Sequence, residues 1–388
     1  MSKLEQYLML MVECGASDAF LSVGARPNLK IEGKTMATDD SPLDSSTLRE
    51  MAYSIMDDDQ RETFANEFEL NMGLDLPDIG RFRINIYRQR GEVAMVARHV
   101  KHKIPSIEEL GLPQSLQSLI MEKRGLILIV GATGSGKTTT LASMLDYRNS
   151  HETGHILTIE DPVEFIHDHK LSVVDQREVG VDTLSYSQAL KSALREAPDV
   201  IMIGEIRDAE TMQHALHFAE TGHLCLATLH ASNTNQAVER IINFFPLEFQ
   251  KRFMHDLSQQ LRAVVSQRLI ESKSTRRVVA VEILQNTANI ADLIRTGQMS
   301  EIKQVMLKHA PEGSLTFDES LLALYQAKKI SSEDAIAYAD SKHDLRLRID
   351  FGSPASVTAV NDSAKTKKNQ HRFVYPASKQ QAAGGLAY

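Results

Sequence analysis

The sequence predicts an α/β protein in which a small α+β domain precedes a larger domain built on a mostly parallel sheet. Period-two alternation of polar and apolar residues marks the later part of the first hundred positions, which is typical of antiparallel strands. From about position 114, short apolar runs alternate with helical segments, which is typical of parallel strands joined by helices. The length of 388 residues is sufficient for two such domains.

The first domain is predicted to span residues 1–100. Near the amino terminus, Leu4, Leu8 and Met11 fall on one face of an amphipathic helix. The alternating segments further on predict an antiparallel sheet with one solvated face. The predicted elements are, in order, a helix at 3–14, strands at 19–23 and 28–31, a helix at 45–56, and strands at 71–76, 80–87 and 92–98.

Residues 101–113 carry two prolines and are predicted to link the domains. The second domain is then expected over 114–350, followed by a disordered tail at 351–388 that has too little apolar content to offset its ordering entropy. The second domain's predicted strands are 126–130, 155–159, 200–203, 224–229 and 278–283, and helices without further strands follow at about 286–296, 299–309, 315–329 and 331–340.

Composition limits the classes of function. The formal net charge of −8 argues against a general nucleic-acid binder. Cys14 and Cys225 are far apart, so they give neither a metal-ligand spacing nor a disulfide framework. No apolar stretch approaches the ~20 residues of a spanning helix, and the amino terminus lacks a cleavage-site pattern. We therefore expect a cytoplasmic protein with no transmembrane segment.

A phosphate-binding motif is the strongest functional signal. Residues 131–138 have the form G-x-x-x-x-G-K-[ST] between an apolar strand and a helical segment. Backbone N–H groups of such a loop and the positive end of the next helix bind phosphate, and an ordinary glycine turn would not need the Lys-Thr pair. The predicted nucleotide-binding residues are Gly131, Ala132, Thr133, Gly134, Ser135, Gly136, Lys137, Thr138 and Thr139, with the Thr138 hydroxyl placed to ligate Mg²⁺.

Polar residues end three later strands where a γ-phosphate would lie. Residues 158–164 place three carboxylates at a strand end, although an acidic surface turn has the same composition. Residues 198–208 have the form of a Walker B strand, with Gly204 where Asp is expected and Glu205 as the first carboxylate. A histidine flanks each end of the next strand, His223 and His230, and either can be structural instead.

Arginines in the first domain form a further candidate set. Arg81 and Arg83 are two apart on a predicted strand and so share a face, and Arg98 lies at the end of a nearby strand. Arginine suits forked phosphate contacts. Exposed arginines on a solvated strand face would look the same, so the pattern alone leaves both interpretations open.

Together these motifs resemble the secretion-type AAA-like ATPases. The resemblance is carried by the phosphate loop, by Ile-Glu-Asp-Pro-Val-Glu-Phe at 159–165, by Gly204-Glu205 and by Glu-Thr-Gly-His-Leu-Cys-Leu-Ala-Thr-Leu-His at 220–230. Segments 80–83, 176–179 and 192–196 resemble the type IV pilus retraction ATPases of the PilT/PilU group. Segments 223–231, 240–246 and 339–347 are more similar to the PilU branch, and the Ala-Ile-Arg-x-Leu-Ile motif of the PilT branch is not intact at 289–295.

The resemblance covers roughly residues 1–350 and implies a PAS-like first domain and a RecA-like second domain. It implies ATP and Mg²⁺ as ligands, with Thr138 and Glu205 near the metal. Glu164 matches the glutamate that activates water, and Glu205 matches the Walker B glutamate. It further implies that His230 senses the γ-phosphate with His223 as a weaker companion, and that Arg81, Arg83 and Arg98 approach the nucleotide in a hexamer.

The function implied is an ATP-driven ring motor for pilus retraction. Implied partners are further copies in a homo-hexamer, a PilT-type ATPase and the inner-membrane platform protein, at a cytoplasmic site on the pilus base. An assembly-type ATPase is the nearest rival, but its four-cysteine zinc module would need more than Cys225. A RecA-like DNA motor is disfavoured by the acidic balance. A nonhydrolysing nucleotide-binding subunit that only regulates a partner ranks last, because Glu164, Glu205, Lys137 and His230 are all present.

Overall fold

The computed structural model describes residues 1–31, 33–38, 40–100, 103–270, 277–308 and 313–351. These residues form two sheets, each with its own set of helices. The predicted tail, apart from Phe351, and the first two residues of the predicted linker lie outside the described residues. Within the described ranges, no helix combines the length and the apolarity that crossing a membrane requires.

The amino-terminal sheet has six antiparallel strands in the order β3-β2-β1-β6-β5-β4. Its strands are β1 (Asp18–Ser22), β2 (Asn28–Ile31), β3 (Lys34–Ala37), β4 (Glu69–Leu76), β5 (Gly80–Gln89) and β6 (Glu92–Val100), and its helices are α1 (Lys3–Glu13), α2 (Ser45–Ser54) and α3 (Asp58–Glu67). The helices pack on one face of the sheet, so alternate strand residues are buried.

Strand β5 illustrates how alternation produces this arrangement. Phe82, Ile84 and Ile86 are fully buried and belong to the same core as Leu8 of α1. The residues between them are only partly buried and point to the other, open face of the sheet. Arg83 is one of these. The predicted solvated face is therefore present.

The second sheet has seven strands in the order β13-β12-β7-β11-β10-β8-β9. All neighbours are parallel except the edge pair β12–β13. Its strands are β7 (Gly125–Gly131), β8 (Gly154–Glu160), β9 (Ser172–Glu178), β10 (Val200–Ile203), β11 (Leu224–Leu229), β12 (Leu261–Ile270) and β13 (Val278–Gln285). The first three helices of this part are α4 (Ser115–Ile120), α5 (Lys137–His151) and α6 (Tyr186–Ala193).

Further helices complete both faces of the sheet and the carboxyl-terminal part. They are α7 (Ala209–Glu220), α8 (Thr234–Ile242), α9 (Leu247–Gln260), α10 (Ala288–Thr296), α11 (Ile302–Lys308), α12 (Phe317–Gln326), α13 (Ser332–Tyr338) and α14 (Lys342–Phe351). Along β7, Leu126 and Leu128 enter the core beneath α7, whereas Ile127 and Ile129 enter the core beneath α5. Because both faces of β7 are covered, its sequence is a continuous apolar run.

The predicted fold class, an α/β protein with a small α+β part before a phosphate-loop part, is confirmed. No element was predicted at the positions of β3, α3, α4, β9, β12 and α14, and helices α6 to α9 were expected only in general terms, as connections between strands. Strand β12 is the most consequential of them, since it is inserted between β7 and β13 and so lies directly beside the phosphate loop.

Candidate nucleotide-binding site

The predicted phosphate loop connects the carboxyl end of β7 to the amino end of α5. Gly131, Gly134 and Gly136 have φ values of +154°, +76° and +92°, which L side chains rarely adopt. At Gly131 a Cβ atom would lie 2.8 Å from the Gln267 carbonyl oxygen of β12 and would overlap the Ser135 side chain. Only glycine fits there. The loop tip at 132–134 is exposed and can contact a ligand.

Lys137 is the cation at the mouth of this loop. Its Nζ donates to the carbonyl oxygens of Gly131 at 3.1 Å and Ala132 at 3.0 Å. Burial lowers the pKa of Lys137, and the negative charges of Glu205 and Glu164 oppose that shift. The structure thus brings both predicted glutamates close enough for their charge to act on the lysine.

Ser135 supplies an independent sign that the loop is built to hold a ligand. Its hydroxyl is buried and has no hydrogen-bond partner within the described part of the chain. An unpaired buried hydroxyl is costly, and a ligand oxygen in the loop would satisfy it. Thr138 and Thr139 follow in the first turn of α5, where both are partly exposed.

Glu205 and His230 meet at the carboxyl ends of β10 and β11. The Glu205 carboxylate lies 3.2 Å from Nε2 of His230 and accepts a 2.8 Å hydrogen bond from Nε of Arg207. Arg207 also lies 3.8 Å from Asp161, beyond the end of β8. Arg207 was not among the predicted site residues, although it stands two positions after Glu205. Three neighbouring strands therefore end in one charged cluster.

Gly204 stands where a Walker B motif would have aspartate, and its surroundings leave no room for a side chain. A Cβ atom at Gly204 would lie 2.7 Å from the Tyr186 hydroxyl oxygen and 3.2 Å from the Ile159 carbonyl oxygen. The second contact is with backbone of the neighbouring strand, which has little freedom to move. Close packing between β10 and β8 thus leaves Glu205 as the first carboxylate after the strand.

Glu164 lies in the segment between β8 and β9, after the cis peptide bond from Asp161 to Pro162. Its side chain is exposed, whereas Val163 and Phe165 on either side are buried. The predicted acidic strand end is therefore not a simple surface turn, because its apolar residues anchor it and Glu164 acts electrostatically on Lys137.

Glu160, the last residue of β8, was not predicted as a site residue. It is buried, and its Oε1 accepts hydrogen bonds from Thr158 Oγ1 at 2.7 Å and Gln176 Nε2 at 3.2 Å. Burial raises the pKa of Glu160 to about 7, although these hydrogen bonds oppose the shift. The sequence did show its position in the acidic cluster at 158–164, but not its burial.

Replacing Glu160 with glutamine is expected to make stability less dependent on pH. Folding raises the pKa of this carboxyl from 4.5 to about 7, so its contribution to stability is full below about 4.5 and is lost as the pH rises through about 7. Glu160→Gln keeps an oxygen for both donors and never ionises. Relative to the unaltered protein, the variant's free energy of unfolding should rise by up to about 3 kcal/mol between pH 5 and pH 8. Denaturant titrations at both pH values measure this difference, and a constant difference contradicts it.

Four other predicted residues belong to other parts of the chain than this cluster. His223 precedes β11 and hydrogen-bonds Thr221 Oγ1 and the Phe218 carbonyl oxygen, whereas His230 follows the strand about 20 Å away. Arg81, Arg83 and Arg98 belong to the amino-terminal sheet.

The three arginines are brought together there on the open sheet face. Arg83 is directly opposite Arg98 across β5 and β6. Arg81 lies 3.5 Å from Asp75 and Arg98 lies 2.8 Å from the buried Asp18, so these two ion pairs are internal to that sheet. The predicted common face is thus observed, and the predicted nucleotide contacts stay a prediction.

Comparison with known proteins identifies the family. Residues 81–321 match the sequence model of a family described as type II/IV secretion system protein. The chain belongs to this family. Among relatives of this secretion-family chain, the type IV pilus ATPase PilU of Pseudomonas aeruginosa is 49% identical over 352 residues, which cover 90% of this chain and 92% of PilU. The type IV pilus retraction ATPase PilT of the same organism is 40% identical over 86% of this chain and 96% of PilT.

A solved structure gives the same assignment for this secretion-family chain. The crystal structure of the pilus retraction motor PilT with bound ADP has a TM-score of 0.83 and 39% identity, over 89% of this chain and 99% of that one. The predicted membership of the PilT/PilU group is confirmed, as is the prediction that the chain is an ATPase and uses a nucleotide.

Proposed function

We propose that this chain is an Mg-ATP-hydrolysing ring motor that powers or assists type IV pilus retraction, acting with a PilT-type ATPase. The observation that carries the proposal is the convergence of Glu164, Glu205 and His230 near Lys137 of the phosphate loop. This arrangement occurs in a chain that aligns with PilU over 90% of its length. The near full-length match supports a shared activity.

The loop and its helix bind the nucleotide. Backbone N–H groups of 131–136 and the amino end of α5 hold the phosphates, and the ammonium of Lys137 exchanges its loop carbonyls for phosphate oxygens. In the described ranges, no group of three or more His, Cys, Asp and Glu side chains is arranged to hold a metal ion. Mg²⁺ usually binds through one or two protein ligands together with phosphate oxygens and water. Thr138 and Glu205 are the ligands we assign.

Glu164 orients and deprotonates the attacking water, because it is the exposed carboxylate near the lysine that carries no ion pair of its own in the described residues. Glu205 is already engaged by His230 and Arg207. His230 reports the presence of the terminal phosphate to Glu205, since the imidazole and the carboxylate are 3.2 Å apart. His223 acts only as a weaker companion, from the other end of β11.

A ring of six chains completes the site. Arg81, Arg83 and Arg98, on the open face of the first sheet, stabilise phosphate charge from a neighbouring copy. We assign residues 1–100 to a PAS-like domain, 101–113 to a linker, 114–350 to a RecA-like domain and 351–388 to a tail. Hydrolysis rotates the first domain against the second. The ring works in the cytoplasm at the inner-membrane pilus base, against the platform protein, and binds no nucleic acid.

Deletion of the gene tests the proposed role in pilus retraction. Deleting the gene in its native host, with and without a PilT-like gene, should impair pilus retraction and leave extended filaments on the cell. A copy carrying Glu164→Gln should fail to restore retraction, whereas the unaltered copy should restore it. Poor extension rather than poor retraction would favour the assembly-type alternative. DNA-stimulated, salt-sensitive hydrolysis by the purified protein would favour the DNA motor.

A further inference from the structure

We propose that Glu160, Gln176 and Glu178 are positioning residues that hold the backbone of 163–167 so that Glu164 faces the phosphate loop. These three side chains are named the clamp. The inference rests on the proposed role of Glu164. It adds the residues that orient the Glu164 side chain. Two clamp members lie on β9, the edge strand that the sequence did not reveal.

Both the nitrogen and the oxygen of the Gln176 carboxamide bind the backbone of segment 163–167. Its Nε2 donates to the Phe165 carbonyl oxygen at 2.9 Å, and its Oε1 accepts from the His167 backbone N–H at 2.9 Å. The same Nε2 lies 3.2 Å from Oε1 of Glu160. One amide group thus joins the end of β8 to two backbone positions beyond Glu164.

Glu178 and Glu160 interact with the backbone at the two positions before Phe165, namely 163 and 164. Oε2 of Glu178 accepts a buried 3.1 Å hydrogen bond from the Val163 N–H. The Glu160 carboxylate interacts with the backbone N–H of Glu164 itself. Backbone groups at 163, 165 and 167 are therefore hydrogen-bonded by Glu178 and Gln176 of β9, and Glu160 of β8 acts on the backbone between them.

Burial of the side chains agrees with this hydrogen bonding. Val163, Phe165 and His167 are 5%, 5% and 6% exposed, whereas Glu164 is exposed. In an extended segment, alternate side chains point in opposite directions. Packing of the odd-numbered residues and bonding of their backbone therefore both turn the Glu164 side chain outwards, and its charge acts on Lys137.

The backbone of Glu160 also lies close to the segment that follows β10. The Glu160 Cα lies 3.2 Å from the place a Cβ of Gly204 would occupy, next to Glu205. The backbone at Glu160 is therefore closely packed against that at Gly204. A displacement of about 1 Å at a catalytic group can cost about 100-fold in rate, so a loosened clamp should impair chemistry without altering the phosphate loop.

Gln176→Met is the direct test, because methionine keeps the volume and removes both hydrogen-bonding groups. With full-length protein and Mg-ATP, the single-turnover hydrolysis rate and kcat should fall about 10- to 100-fold, and KM for ATP should stay within about twofold. Gln188→Ala is the matched control, since that glutamine is exposed on α6, and it should change neither quantity. A Gln176→Met rate equal to that of the control overturns the proposal.

A double variant distinguishes a loss of kcat that arises through Glu164 from one that arises elsewhere in the protein. If Gln176 acts through Glu164, then Gln176→Met should add little to the loss already caused by Glu164→Gln. Losses that multiply fully would show that Gln176 acts elsewhere and would overturn the proposal. Normal turnover in Glu164→Gln alone would instead remove the proposed role of Glu164, so the two failures are distinguishable.

Two substitutions of Glu178 provide a second test of the clamp if Gln176→Met does not fold. Glu178→Gln retains an oxygen that accepts from the Val163 N–H, whereas Glu178→Ala does not. We expect near-normal kcat for the glutamine variant and at least a 10-fold loss for the alanine variant, with KM unchanged in both. Equal kcat values for the two variants overturn the clamp.

Discussion

Replacing Glu164 with glutamine is expected to lower kcat for ATP hydrolysis by about 10²- to 10⁴-fold, the range that a general base contributes. The amide keeps the size of the side chain but cannot take a proton from water. Affinity for ATP should be unchanged or slightly increased, because a negative charge near the phosphates is removed while Lys137 stays in place. Steady-state turnover and binding of a fluorescent ATP analogue measure the two effects.

Asp168→Asn is the matched control for Glu164→Gln. Asp168 is an exposed carboxylate in the same segment between β8 and β9, but beyond the clamp. Its amide variant should hydrolyse ATP at the normal rate. Normal turnover in Glu164→Gln would remove this residue from catalysis and leave Glu205 as the other carboxylate whose charge acts on Lys137.

The meeting of Glu205 and His230 could be predicted from the sequence because parallel strands share an edge. Each residue follows an apolar run of four to six residues that is buried on both faces. Once β7, β10 and β11 are recognised as parallel, their carboxyl ends must lie side by side, beside the phosphate loop. His223 precedes the same strand, so the same rule puts it at the opposite edge.

Strands β9 and β12 could not be predicted in the same way. Strand β9 is an edge strand in which Asp175, Gln176 and Arg177 interrupt the apolar pattern. Strand β12 begins at Leu261, directly after helix α9 ends at Gln260, with no glycine or proline to mark the change. Its buried Ser266 and Gln267 are polar because they lie beside the loop, not because the strand is exposed.

The sequence also could not show whether a particular side chain is buried or exposed. Glu160 and Glu164 are both acids in one short motif, yet one is buried with a raised pKa and the other is exposed. The difference arises from β9, whose Gln176 covers Glu160. Likewise, Gly204 could be identified as a departure from the Walker B pattern, but its cause is contact with Tyr186 and the backbone of β8. Both depend on packing between elements distant in sequence.

Replacing Lys137 with methionine is expected to lower kcat/KM for ATP by about 10³-fold or more. A preorganised donor at the developing charge contributes about 10²- to 10³-fold to kcat, and a charge-assisted hydrogen bond to the bound phosphates adds at least about 10-fold in affinity. Methionine retains the apolar stem, so the loop should keep its shape. Of the two carbonyl oxygens that the ammonium now binds, that of Ala132 belongs to an exposed residue and can take water instead.

Thermal unfolding with and without a nonhydrolysable ATP analogue distinguishes this effect from misfolding. A ligand that binds only the folded state raises stability by RT ln(1 + [L]/Kd), so weaker binding must reduce the nucleotide-dependent rise in Tm. Lys137→Met should therefore melt near the unaltered protein without the analogue and gain much less with it. Lys123→Ala, at an exposed lysine just before β7, should gain as much as the unaltered protein. An undiminished rise in Lys137→Met would mean that the backbone N–H groups of the loop bind the phosphates without the cation, and the lysine would then serve only to neutralise Glu164 and Glu205.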